Sequence, residues 1–195
     1  MSRIRLVQLL LSVAIGLSAP LAHSQTKHHP KAASHVETGP KVSTLGGKFS
    51  FTLPTGYTAE AMTPGDAKSG TAGSTGTMYA SEKSKRVVMA TQVPTPAGVS
   101  AGDNDPAFLQ QATADFVADQ SKAAPDFKKT AESTLVLKKL GVTRVDSTAT
   151  LGGGPTLSTT FIAGSGQTLS LVQIISRADD RGGHDAMVKR VLAGR

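Results

Sequence analysis

The chain has no cysteine and no tryptophan in its 195 residues. The first absence excludes disulfides, thiol nucleophiles and thiolate metal sites, so the fold must be held by its core alone. The second leaves Tyr57 and Tyr79 as the only residues of the kind a carbohydrate-binding surface relies on, which argues against a lectin. Long apolar runs are missing after the amino terminus, and no later stretch approaches the ~20 residues that cross a bilayer as a helix. Dense basic runs are missing too. The formal charge is +7, but Lys83, Lys85, Lys122, Lys128, Lys129, Lys138, Lys139 and Lys189 are dispersed. That excludes a nucleic-acid arm and leaves two readings, a solvated surface that happens to be basic, which is the expectation, and a weak attraction to anionic lipid or cell-wall polymer.

What is present begins with MSRIRLVQLLLSVAIGLSAPLAHSQ. Arg3 and Arg5 precede a mostly apolar run from Leu6 to Leu17, and Ala22-His23-Ser24 puts small residues where a signal peptidase reads. This is the layout of a cleaved secretory signal over residues 1–24, so the expected location is periplasmic or secreted. Its removal takes two positive charges and no negative one. Residues 25–46 are polar, contain Pro30 and Pro40 and show no apolar period, which reads as a disordered tether. His28, His29 and His35 lie in it with Glu37 as the near carboxylate. The ordering entropy of such a segment opposes a metal site there.

From Gly47 the texture is that of one folded domain, residues 47–195. "GKFSFTLPTGY" alternates as a half-buried strand stopped by Pro54 and Gly56. Residues 65–76 form a glycine-rich loop. A strand follows it where a phosphate cradle needs a helix. A hairpin spans Thr77 to Thr95, with Val87, Met89, Thr91 and Val93 on one face of its return strand. Asp105-Pro106 caps a helix whose apolar stripe is Phe108, Leu109, Ala112, Phe116 and Val117. Four strands with short turns come next, over Ser133–Leu140, Thr143–Leu151, Pro155–Ala163 and Gln167–Ser176. The last is apolar on both faces near Leu171–Ile175 and should lie centrally in an antiparallel meander. A final helix carries Met187, Val188, Val191 and Leu192. The expected class is α+β, an antiparallel sheet of about six to seven strands covered by helices.

Candidate chemistry is thin. Ser165 in "AGSGQ" and Ser147 in "RVDSTAT" are the tempting nucleophiles, with His184 the one histidine outside the signal and tether. Neither serine sits in Gly-x-Ser-x-Gly between strand and helix. Asp146 and Ser147 are strand neighbours on opposite faces, so they cannot join His184 in one triad. Asp179, Asp180, His184 and Asp185 gather four potential metal ligands around Gly182-Gly183. The competing reading makes Asp180 or Asp185 the cap of the last helix. The capping reading is the expectation, with no catalytic, cofactor-binding or metal residue and no cofactor.

The strings "GKFSFTLP", "DPAFL", "GVTRVDSTAT", "STTFIAG" and "SGQTLSLVQIISRADD" resemble the DcrB-like family of bacterial cell-envelope proteins, and through it the PsbP-like fold. The resemblance covers Gly47 to the carboxyl end and implies an α/β/α sandwich acting by binding, without catalysis. The amino-terminal cysteine that carries the lipid in that family is missing here, since Ala22-His23-Ser24 leads into Gln25. The resulting expectation is a non-enzymatic, exported accessory or adaptor protein whose partner is an envelope protein or an anionic membrane surface. A carrier of a small lipid or metabolite is the alternative, and a hydrolase comes third.

Overall fold

Asp105 and Pro106 start a helix for the reasons the sequence gives. The Asp105 carboxylate accepts from the Phe108 backbone N–H, and proline at the first helical position loses no bond. This helix, α1 (Pro106–Ala123), is one of two in a computed structural model that describes residues 38–68 and 71–194. The strands are β1 (Lys41–Thr44), β2 (Phe49–Thr52), β3 (Thr58–Ala61), β4 (Thr75–Ser81), β5 (Arg86–Pro94), β6 (Lys128–Leu137), β7 (Leu140–Leu151), β8 (Gly154–Ser165) and β9 (Thr168–Arg177). The second helix, α2 (Arg181–Leu192), is the last element among the described residues.

Seven strands form one antiparallel sheet in the order β3-β4-β5-β9-β8-β7-β6. The β9 strand is central, as its two-faced apolar pattern requires. Its neighbour β8 is buried at every position from Thr156 to Gly164. α1 lies over β7 and β8 on one face, with Phe108, Ala112 and Phe116 on Val145, Ile162 and Leu169. Phe108 packs on the bare backbone of Gly164, where any Cβ would collide with its ring. The other face carries α2 and the β1–β2 hairpin. There Phe49, Phe51, Met187, Val188 and Val191 meet Val88, Val142, Phe161, Val172 and Ile174. Phe49 stands edge-on to Phe51 at 6.1 Å and tilted to Phe161 at 6.0 Å.

The structure departs from the sequence reading in three places. The "GKFSFTLP" strand pairs with Lys41–Thr44 in a separate hairpin laid on the sheet, so residues 41–44 of the expected tether are structured. The signal segment, and the tether up to residue 37, lie outside the described residues. Strand β3, exposed throughout, has no alternation to announce it. The turn expected at Gly141 is two residues earlier. Lys138 and Lys139 take φ of 49° and 74°, the left-handed pair that a two-residue turn needs. Gly141 is instead a strand residue whose missing Cβ makes room for Asn104 and Leu109.

Candidate functional site

The residues singled out by chemistry fall in separate places. Asp146 and Ser147 do face opposite sides of β7, and Ser147 is buried on the α1 side. Ser165, at the end of β8, is half-buried. It donates to Asp103 Oδ1 at 2.7 Å, while Lys48 Nζ reaches the same carboxylate at 2.7 Å and Ser165 Oγ at 2.8 Å. The Asp103 carboxyl is held below its usual range, first by the Lys48 hydrogen bond and then by Ser165. Lys48 donates to the Ser165 oxygen and Ser165 spends its own proton on Asp103, so the lysine is not placed to take the proton of that serine.

Asp180 caps α2, accepting from the Gly183 N–H at 3.2 Å, and it also pairs with Arg86 from β5. A Cβ at Gly183 would meet the Arg86 guanidinium and the Asp180 carboxylate, so a larger residue there would have to push this pair aside. Of the four acid and imidazole side chains considered as metal ligands, these two bonds therefore occupy Asp180. His184 turns inward and is 5% exposed. Among the described residues, no three His, Cys, Asp or Glu side chains converge as a metal site.

Beneath α2 the sequence reading missed a continuous polar chain. Arg86 Nε donates to Ser176 Oγ at 3.0 Å, and Ser176 Oγ lies 3.0 Å from His184 Nδ1. His184 Nε2 lies 2.9 Å from Thr159 Oγ1, which donates to Asp146 Oδ1 at 2.6 Å. Arg144 grips Asp146 with both Nε (3.0 Å) and Nη2 (2.8 Å). Four strands contribute besides α2: Arg86 from β5, Ser176 from β9, Thr159 from β8 and Asp146 from β7, all on the face that α2 covers. A serine, a histidine and an acid thus do meet, but Ser176 is 1% exposed and Thr159 is 1% exposed. Burial pushes the His184 imidazole below its ordinary value of 6.5, so the ring is neutral at pH 7.

The open surface is elsewhere. A cavity of ≈ 150 Å³ lies between β2, the β6–β7 turn and the end of α2, lined by Phe49, Leu137, Val191 and Leu192 with Lys48 and Lys138 at its rim. Val136 on the sheet's edge strand, also among the residues that line it, is 58% exposed, the one large apolar side chain in that state among the described residues.

Comparison with protein-family models finds no match, and comparison with curated proteins finds none either. Among solved structures the chain is similar to the solution structure of cyanobacterial PsbP (CyanoP) from Synechocystis sp. PCC 6803, with a TM-score of 0.58. The two are 9% identical, and the match covers 84% of this chain and 96% of that one. The fold is PsbP-like.

Proposed function

We propose that this chain is an exported, non-catalytic accessory protein of the bacterial cell envelope, akin to the DcrB-like proteins, acting by binding a protein partner. One observation carries the reading. The place where serine, imidazole and carboxylate converge is sealed under α2, and every reactive atom in it is already bonded to another side chain. A nucleophile needs a free face and room for substrate within ~3 Å, and this chain of groups offers neither. The carrier reading has less to rest on. A cavity of ≈ 150 Å³ is smaller than the ~300–1,000 Å³ typical of ligand pockets, and apolar side chains fill the layers between sheet and helices. The PsbP-like fold agrees with a binding role without establishing one.

The test is cross-linking in the intact host followed by purification from the envelope fraction. A reproducible protein adduct, with a mature amino terminus at Gln25, is expected. Turnover of an ester or peptide substrate by the purified chain, together with no adduct, overturns the proposal. Co-sedimentation with phosphatidylglycerol vesicles in place of a protein adduct would move the partner to the membrane surface.

A further inference from the structure

Strand β6 is an edge of the seven-stranded sheet, and its two halves are built differently. The first half carries Lys128 and Lys129 and a bulge between Lys129 and Ala131, devices that discourage pairing by another strand. From Ala131 to Leu137 the register against β7 is regular, and Ser133–Leu137 has no charge.

The turn fixes which backbone groups of this run are free. In a two-residue hairpin the residues flanking the loop, here Leu137 and Leu140, form a doubly hydrogen-bonded pair. Pairs alternate along an antiparallel ladder, so Leu135 and Ser133 also point their N–H and C=O inward to β7. Glu132, Thr134 and Val136 point theirs outward. On the α2 face, a side chain laid beside Leu137 would reach the ≈ 150 Å³ cavity; on the other face it would meet exposed Val136.

We propose that Ala131–Leu137 is a docking edge for an extended segment of another protein that adds an eighth strand and carries acidic residues at its ends. This rests on the binding role proposed above. Charge selects the occupant. Lysine pairs bracket the run, Lys128 and Lys129 at one end and Lys138 and Lys139 at the other, against the single acid Glu132, which Lys129 already holds at 2.6 Å. Lys138 and Lys139 make no ion pair with a described residue. A second copy pairing antiparallel would bring one lysine pair onto the other, a like-charge contact that disfavours self-association. Acidic ends would meet a lysine pair at each side, while main-chain bonds supply most of the affinity.

The probe is a short synthetic peptide of alternating Val and Thr with Glu-Glu at both ends, compared with the same peptide ending in Lys-Lys. Amide NMR of the full chain should show the acidic peptide shifting Glu132, Thr134 and Val136, with the lysine version inert. Thr134→Pro removes an outward N–H only, so the fold should persist and the shifts should vanish. The double variant Lys138→Asn/Lys139→Gly, which keeps the edge, should bind the acidic peptide roughly fivefold more weakly. Equal effects of both peptides, or undiminished binding in both variants, overturn the proposal. So does sedimentation that finds a dimer lost in Thr134→Pro, which would make a second copy the occupant. If Thr134→Pro keeps the cross-linked envelope adduct of the unaltered chain, the edge is wrong and the accessory role stands. If the unaltered chain gives no adduct, the role itself fails.

Discussion

Thr159 has one hydroxyl proton and two partners, and that settles the protons of the whole buried chain. A carboxylate only accepts, so Thr159 spends its proton on Asp146 and must accept from His184 Nε2–H. The neutral ring then leaves Nδ1 bare to accept from Ser176, whose oxygen accepts from Arg86 Nε. Donation runs one way, from the Arg86 cation to the Asp146 anion. At pH 7 the ¹⁵N shifts of His184 should be those of the Nε2–H tautomer. Protonating the ring would turn Nδ1 into a donor and strand the Ser176 proton. Burial is the main reason the ring resists this; Arg86 and Arg144 add to it, while Asp185 and Asp146 pull the other way. Above about pH 6.5 folded and unfolded chains both hold His184 neutral. Below it the unfolded chain takes a proton the folded one refuses, so stability falls as pH drops from 6.5 towards the lowered folded value. Urea unfolding at pH 8 and pH 5 should show this loss. His184→Gln should cost ~1–3 kcal/mol at pH 8 and flatten the slope, and a variant that keeps the full slope would acquit His184.

Elements were legible where one local rule governed them. The capped start of α1, the stripe of α2 and the central place of β9 follow from spacing alone. The β6–β7 turn was missed because its residues are the wrong kind: glycine or asparagine marks a left-handed pair, and this chain uses two lysines. Strand β3 has no buried side, and β1 is four residues in a proline-containing polar stretch, so neither carries a period. The buried chain was half legible. His184 and Asp146 drew attention, but Arg86 and Ser176 are 90 positions apart and Thr159 and His184 are 25 apart. Only the sheet order brings them together. The lysine turn makes its own prediction. Each non-glycine residue in the left-handed region costs ~1 kcal/mol or more, so Lys138→Asn/Lys139→Gly should raise stability by ~1–2 kcal/mol in a denaturant titration. An unchanged or lower midpoint would mean the lysines gain that back by contacts in the native state. A gain in stability with weaker peptide binding would mark the turn as a site where stability is given up for recognition.

At the scale of the molecule, two apolar layers share one sheet. The layer under α2 and the β1–β2 hairpin contains both tyrosines, Tyr57 and Tyr79. The layer under α1 contains neither. What joins them is β8, buried on both sides, with Phe161 facing α2 and Ile162 facing α1, each at most 1% exposed. Neither layer can lose its packing without exposing the reverse side of the same strands, so unfolding should be a single cooperative event. The absence of tryptophan makes this easy to test, because tyrosine fluorescence reports the α2 side alone while far-UV circular dichroism reports the whole sheet. Phe116→Ala, entirely on the α1 side, should cost ~3–5 kcal/mol, and Met187→Ala on the other side ~2–5 kcal/mol. The decisive comparison is the tyrosine midpoint of Phe116→Ala. If it falls in step with the dichroism, damage on one face is felt on the other through β8. If the tyrosine midpoint stays put while the dichroism splits in two, the faces are separate folding units, and a strand docked at β6 would stabilise only its own.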